Sequence, residues 1–191
     1  NVQFDQGLTH ARNGSAGVTL GGDLGGDWSH LLSIGHAMEN LDTVAFDEQL
    51  SSRRNSLDWI FTRKLAADSN LTTGVNWQRD HGTSTSAFSG TVFDNSLSNS
   101  AAFVGYGGRL GSQRLDLAVR HDHNSQFGSA TTGSAAWGWQ IHPGTRLHLS
   151  WGQGFRAPDF NELYSPGFGG LFAGNPNLRP ERSTSFEAGL D

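Results

Sequence analysis

The feature that most constrains this chain is a period of two. In RLDLAVR, Leu115, Leu117 and Val119 fall on one face while Arg114, Asp116 and Arg120 fall on the other, which fits an extended strand with two different surroundings. TRLHLSWGQGF repeats it, with Leu147, Leu149, Trp151 and Phe155 opposed to Arg146, His148, Ser150 and Gly152. Leu71, Thr73, Val75 and Trp77 alternate with Thr72, Gly74, Asn76 and Gln78, and Ala135, Trp137, Trp139 and Ile141 with Ser134, Ala136, Gly138 and Gln140. The pattern predicts an all-β chain, an antiparallel up-and-down meander of about nine strands, near 14–22, 28–40, 52–65, 70–80, 99–110, 114–123, 130–141, 145–156 and 183–190.

Connections between these strands alternate in length. DLGGD, AADSN, GSQ and HPG follow the first, third, fifth and seventh, each built from Gly, Asn, Asp or Pro as tight turns require. LDTVAFDEQLS, HGTSTSAFSGTVFDNS, HNSQFGS and a long Pro-rich run follow the second, fourth, sixth and eighth. Short turns on one side and longer loops on the other, joined by strands of about ten residues with one apolar face, predict a transmembrane β-barrel. Trp59, Trp77, Trp137, Trp139 and Trp151 then face lipid, as do Leu117, Val119 and Leu149, while Arg120, Gln140, Arg146 and His148 face the lumen. A soluble sandwich also alternates, but its inner faces meet in a dry core and it gives no reason for the loop asymmetry.

Composition agrees. Only 35% of the 191 residues are hydrophobic and the mean hydropathy is -0.45, as expected when half of every strand meets a wet or plugged lumen. No apolar run approaches the roughly 20 residues of a membrane helix. A net charge of -5 with no basic stripe argues against a nucleic-acid partner. There is no cysteine, which removes disulfides and thiolate metal sites. No nucleophile elbow, H-E-x-x-H or phosphate-cradling loop is present, so a non-enzymatic role is expected.

Residues 157–182 hold four of the five prolines, far more loop than a hairpin needs. GFRAPDFNELY followed by GNPNLRPERSTSFEAGL resembles the central barrel signature of TonB-dependent outer-membrane receptors. In these an upward strand ends in a G-F-R-A-P-like corner and a downward strand begins after N-P-x-L-x-P-E. HDHNSQFG and LTTGVNWQRDHGT are similar to the cobalamin branch of that family, and the resemblance runs in order from FDQGLTHARNGSAG to FEAGLD. It implies import of a corrinoid across a Gram-negative outer membrane, with ligand at the extracellular mouth and a plug that answers to TonB. A siderophore or other bulky ligand is the alternative. Such transporters have about 22 strands, so residues 1–191 are expected to be a partial barrel domain. The plug, the TonB-contacting segment and the terminal strands lie outside it, and both edge strands are left unpaired.

Candidate site residues follow. Pro158, Pro176 and Pro180 set the entry and exit of the long loop. Glu162, Arg179, Glu181 and Arg182 are candidates to pin it. Tyr164, Phe168 and Phe172 offer apolar area to a bulky amphipathic ligand, or alternatively pack the loop on itself. Asn124 and Gln126 are amides suited to a corrinoid periphery, with solvated loop polarity as the other reading. Asn40 stands where the resemblance suggests a ligand-contacting amide, although its parity with Leu32, Ile34 and Met38 aims it at lipid unless a bulge intervenes. His121 and His123 point the same way on a strand, but two ligands do not make a metal site and a polar strand end is the expectation. The resemblance implies a calcium cluster in the complete receptor to which Asp5 contributes. Within this stretch one carboxylate is no site, and no cofactor is expected.

Overall fold

The computed structural model describes residues 8–44, 48–86, 90–165 and 173–191. Nine strands form one antiparallel sheet in chain order. They are β1 (Thr9–Gly25), β2 (Trp28–Thr43), β3 (Glu48–Ala66), β4 (Ser69–Ser86), β5 (Gly90–Leu110), β6 (Gln113–Asn124), β7 (Gly128–His142), β8 (Thr145–Arg156) and β9 (Glu181–Leu190). A short helix, α1 (Phe160–Tyr164), lies between the last two. The sheet is open, with β1 and β9 as its edges.

Register places every second residue on a common face. Leu32 pairs with Trp59, Trp59 with Val75 and Val75 with Ala102, and beside that row Tyr106 pairs with Leu117 and Leu117 with Ala135. Trp137 pairs with Leu149, and Trp151 with Ala135 and Phe186. All the residues expected to face lipid therefore share one side. Trp28 joins them, since it pairs with the outward Arg63 and lies under its guanidinium at 5.6 Å. This face has no second layer over it among the described residues, and Val18, Ile34, Val119 and Phe186 are exposed. A sandwich would have covered it, whereas a barrel wall leaves it to hydrocarbon.

The apolar band drifts along the register. On β1 it is centred at Val18 and Leu20, whose paired row reaches His121 on β6, while the band on β6 lies at Leu115, Leu117 and Val119. That displacement is the tilt of membrane strands read from pairings alone.

Several strands outrun their predicted ends. β4 reaches Ser86 and β5 begins at Gly90, so most of the expected loop HGTSTSAFSGTVFDNS is strand. β2 and β3 likewise extend to Thr43 and from Glu48, and β6 and β7 leave only residues 125–127 between them. The 21 residues of β5, at about 3.4 Å each, exceed by far an apolar belt of about 25 Å. The hairpins continue beyond the apolar band, where alternation fades although the backbone ladder persists. At the other end the turns are two residues long, and at the first of them Gly26 (φ 59°) and Asp27 (φ 67°) both take the left-handed geometry of a hairpin turn.

Candidate functional site

The lumen-facing side carries a connected polar wall. The Asp58 carboxylate accepts from Asn76 at 2.7 Å, and Asn76 in turn accepts from Arg120 at 3.3 Å. Arg120 donates twice to Asp122, at 2.9 and 2.8 Å, and Asn99 also donates to Asp122 at 2.7 Å. Beside this chain Arg54 grips Asp80 at 2.7 and 3.2 Å, and Gln78 adds a bond of 2.7 Å. Strands β3 to β6 are thus cross-linked on one face. Asp122 is buried, and its oxygens have the partners that make a sequestered charge tolerable.

This wall forms one side of a cavity of about 960 Å³. The start of the long connection closes another, through Arg156, Pro158, Asp159 and Phe160. Here α1 is the organising element. Asp159 accepts from the Glu162 N–H at 2.8 Å and Glu162 accepts from the Asp159 N–H at 2.9 Å, a reciprocal cap that starts the helix. Phe160 stacks on Phe93 at 6.1 Å and covers Gly82, where a Cβ would come within 2.7 Å of its ring. Leu163 is 1% exposed.

A three-way ion pair ties the two ends of the connection together. Arg156 donates to Glu162 at 2.7 and 3.0 Å and to Glu181 at 3.1 and 3.2 Å. The pin expected among Glu162, Arg179, Glu181 and Arg182 is therefore built around Arg156, while Arg182 sits over the Phe155 ring at 5.9 Å. On the return path Gly174 N–H donates to Ser165 at 2.7 Å and Asn175 N–H to Glu162 at 2.8 Å, both to carbonyl oxygens. Such closeness requires glycine, since a Cβ on Gly174 would approach Tyr164 N to 2.6 Å.

The Arg156 hydrogen bonds, and after them the Asp159 N–H, hold the Glu162 carboxyl below the usual glutamate range. A carboxylate depressed in the folded state contributes fully above its unfolded pKa, and the contribution is lost as pH falls through the folded one. Protection of the α1 amides against hydrogen exchange, corrected for intrinsic rate, should therefore hold from about pH 7 down to about 5 and decline only below about 4.3. Protection that stays flat to about pH 3 would remove the clasp from the account of loop order.

The expected ligand residues divide into groups. Tyr164 Oη donates to Gln126 Oε1 at 3.3 Å, and the Tyr164 ring lies 6.0 Å from Phe93, so Tyr164 and Gln126 are brought together at the long-hairpin end of the sheet. Asn124 borders the cavity but is buried, and its side-chain oxygen accepts from the N–H groups of Gln126 and Phe127 at 3.0 and 3.1 Å. That is a turn-forming bond. Asn40 lies apart, because the register of β2 runs unbroken from Trp28 to Thr43 and keeps it on the face of Leu32, Ile34 and Met38. Asp5, Phe168 and Phe172 lie outside the described residues. His121 and His123 face outward and bond Thr131 and Ser129 at 2.8 and 3.0 Å. The sequence reading missed Asp58, Asn76, Asn99 and Asp122 as one network. It also missed α1, although Asp159-x-x-Glu162 is a legible capping pattern.

An antiparallel sheet of tilted strands, with an uncovered apolar band outside, a polar wall inside and long hairpins at one end, defines a stretch of a transmembrane β-barrel. Residues 1–191 match the family model described as TonB dependent receptor-like, beta-barrel. The chain belongs to that family of Gram-negative outer-membrane receptors. It is 29% identical over 152 residues to the vitamin B12 transporter BtuB of Photobacterium profundum, a match that covers 79% of this chain and 24% of that protein. Among solved structures it resembles the siderophore receptor PirA from Pseudomonas aeruginosa, with a TM-score of 0.77, 15% identity and coverage of 95% of this chain and 36% of that one. The copper transporter OprC gives a TM-score of 0.71 at 17% identity over 94% of this chain and 36% of that one. The chain thus spans about a quarter of the length of the curated relative.

Proposed function

We propose that the complete receptor containing this chain imports a corrinoid of the cobalamin type, with energy supplied through a plug domain by TonB. The observation that carries this reading is the BtuB relative, matched over most of the chain at 29% identity. The siderophore and copper proteins share the fold at 15% and 17%, a level that speaks to architecture. The polar wall and cavity support it physically, since a large ligand edged with amides needs both apolar area and many hydrogen-bonding groups. Tyr164 and Gln126 contribute at the mouth, with Phe168 and Phe172 supplying further aromatic surface from the same connection.

The test is ligand choice by the full-length receptor. Cyanocobalamin should bind, and ferric siderophores should not compete. Replacing Phe168 and Phe172 together by Ser should weaken cyanocobalamin binding at least about fivefold, the loss expected of an energetically important contact, and leave the heat resistance of the barrel intact. Competition by a siderophore in place of the corrinoid would move the protein to another branch of the family.

A further inference from the structure

Three amides stand in one row on the lumen face. Gln78 on β4 pairs with Asn99 on β5, and Asn99 with Asn124 on β6, so the row crosses three strands at a spacing of about 4.8 Å. All three border the cavity of about 960 Å³. An amide has a donor end and an acceptor end, and the one presented to the cavity depends on what holds the other.

Their neighbours settle each orientation. A carboxylate only accepts, so Gln78 Nε2 donates to Asp80 at 2.7 Å and Asn99 Nδ2 to Asp122 at 2.7 Å. This leaves Gln78 Oε1 and Asn99 Oδ1 without a partner among the described residues. Asn124 is fixed the opposite way, because its oxygen receives the N–H groups of Gln126 and Phe127. Its Nδ2 has no partner among the described residues, although Asn124 is only 7% exposed. The row thus offers acceptor, acceptor and donor in that order. No free cation stands beside it to attract an anion, since Arg54, Arg120 and Arg156, the lumen-facing arginines of the cavity, each hold a carboxylate at 2.7 or 2.8 Å.

We infer that Gln78, Asn99 and Asn124 form a subsite that accepts uncharged carboxamides and turns away carboxylates, an inference that rests on the corrinoid reading and names the part of the ligand this wall reads. A primary carboxamide supplies N–H groups to Gln78 and Asn99 and an oxygen to Asn124. A carboxylate in its place has nothing to donate. Two acceptor oxygens then stay unpaired against its charge, and polar groups left unpaired in a secluded site are what makes such recognition selective.

The experiment measures, at neutral pH, binding to the complete receptor of cyanocobalamin and of the monocarboxylic acids obtained by hydrolysing its peripheral carboxamides one at a time. At least one of these acids should bind about tenfold or more weakly than cyanocobalamin, the penalty of buried hydrogen bonds left unmade. Gln78→Met keeps the length of the side chain and drops the acceptor, and it should narrow that gap about threefold or more. Asn124→Asp keeps the oxygen that forms the turn but loses the donor. It should weaken cyanocobalamin binding about tenfold with the unfolding midpoint of the barrel unchanged, whereas Asn55→Asp, on the outer face beside His36, should change neither. Equal binding of cyanocobalamin and every monoacid by the unaltered receptor overturns the inference while leaving the corrinoid reading in place, and this result depends on no variant assembling. Unchanged cyanocobalamin affinity in both Gln78→Met and Asn124→Asp overturns it as well, since the row would then hold protein in place of ligand. A receptor that binds no cyanocobalamin removes the corrinoid reading and the inference together.

Discussion

Leu149→Arg in the complete receptor is expected to cost about 2–4 kcal/mol of barrel stability, and His148→Arg far less. The two residues are adjacent in sequence and differ in face. Leu149 lies at the centre of the apolar band on β8, flanked by Leu147 and Trp151, and pairs with Trp137 and Ala188. A guanidinium there must enter hydrocarbon or drag water after it. His148 points to the lumen beside Gly189, where a cation keeps its hydration. Denaturant unfolding in vesicles measures both costs. Equal tolerance at the two positions would count against a lipid-facing band.

The second large effect is expected at the loop base. Leu163→Ala removes the most deeply buried apolar side chain among the described residues, and deletions of this kind cost about 2–5 kcal/mol. The cost falls locally, since α1 packs on the sheet through Phe93 and Gly82 while the strands hold one another by their ladders. Proteolysis within residues 157–180 should accelerate, and affinity for the proposed corrinoid ligand should drop, with the unfolding midpoint of the barrel unchanged. Gly174→Val should produce the same phenotype by overcrowding, because its Cβ would meet the backbone at Tyr164 N, Leu163 C and Ser165 N at 2.6–2.7 Å, and backbone offers nothing flexible to move. A fall in the barrel midpoint with either variant would show that the connection is integral to the wall.

The two replacements differ in how visible their sites are beforehand. Leu149 announces its face through its neighbours, because alternation is a local property and needs no knowledge of the partner strand. Leu163 carries no such mark. Its burial depends on a helix that folds back toward Phe93, and that residue belongs to a part of β5 expected to be loop. The hairpin ends escape the sequence for a related reason. Beyond the apolar band, His81 to Ser86 and Gly90 to Asn95 lose the regular alternation, so residue choice does not record the strand; backbone pairing maintains it, and α1 covers part of the inner face at Gly82 and Phe93. In the sequence Arg156 belongs only to a corner motif. Its role appears when Glu181, 25 positions away, returns to its side.

The sequence by itself determined that the chain is an antiparallel meander, which residues of each strand meet lipid and which meet the lumen, and which connection is long. These follow from the two-residue repeat and from turn chemistry, both written within a few positions. Tertiary structure alone decided the register, and with it the drift of the apolar band, the network from Asp58 to Asp122 and the clasp at Arg156. Each of these joins residues from different strands, and a strand's pattern says which side a residue faces but not how far along its neighbour the partner lies. That offset is set by the summed ladder and by strand tilt, which belong to the sheet as a whole.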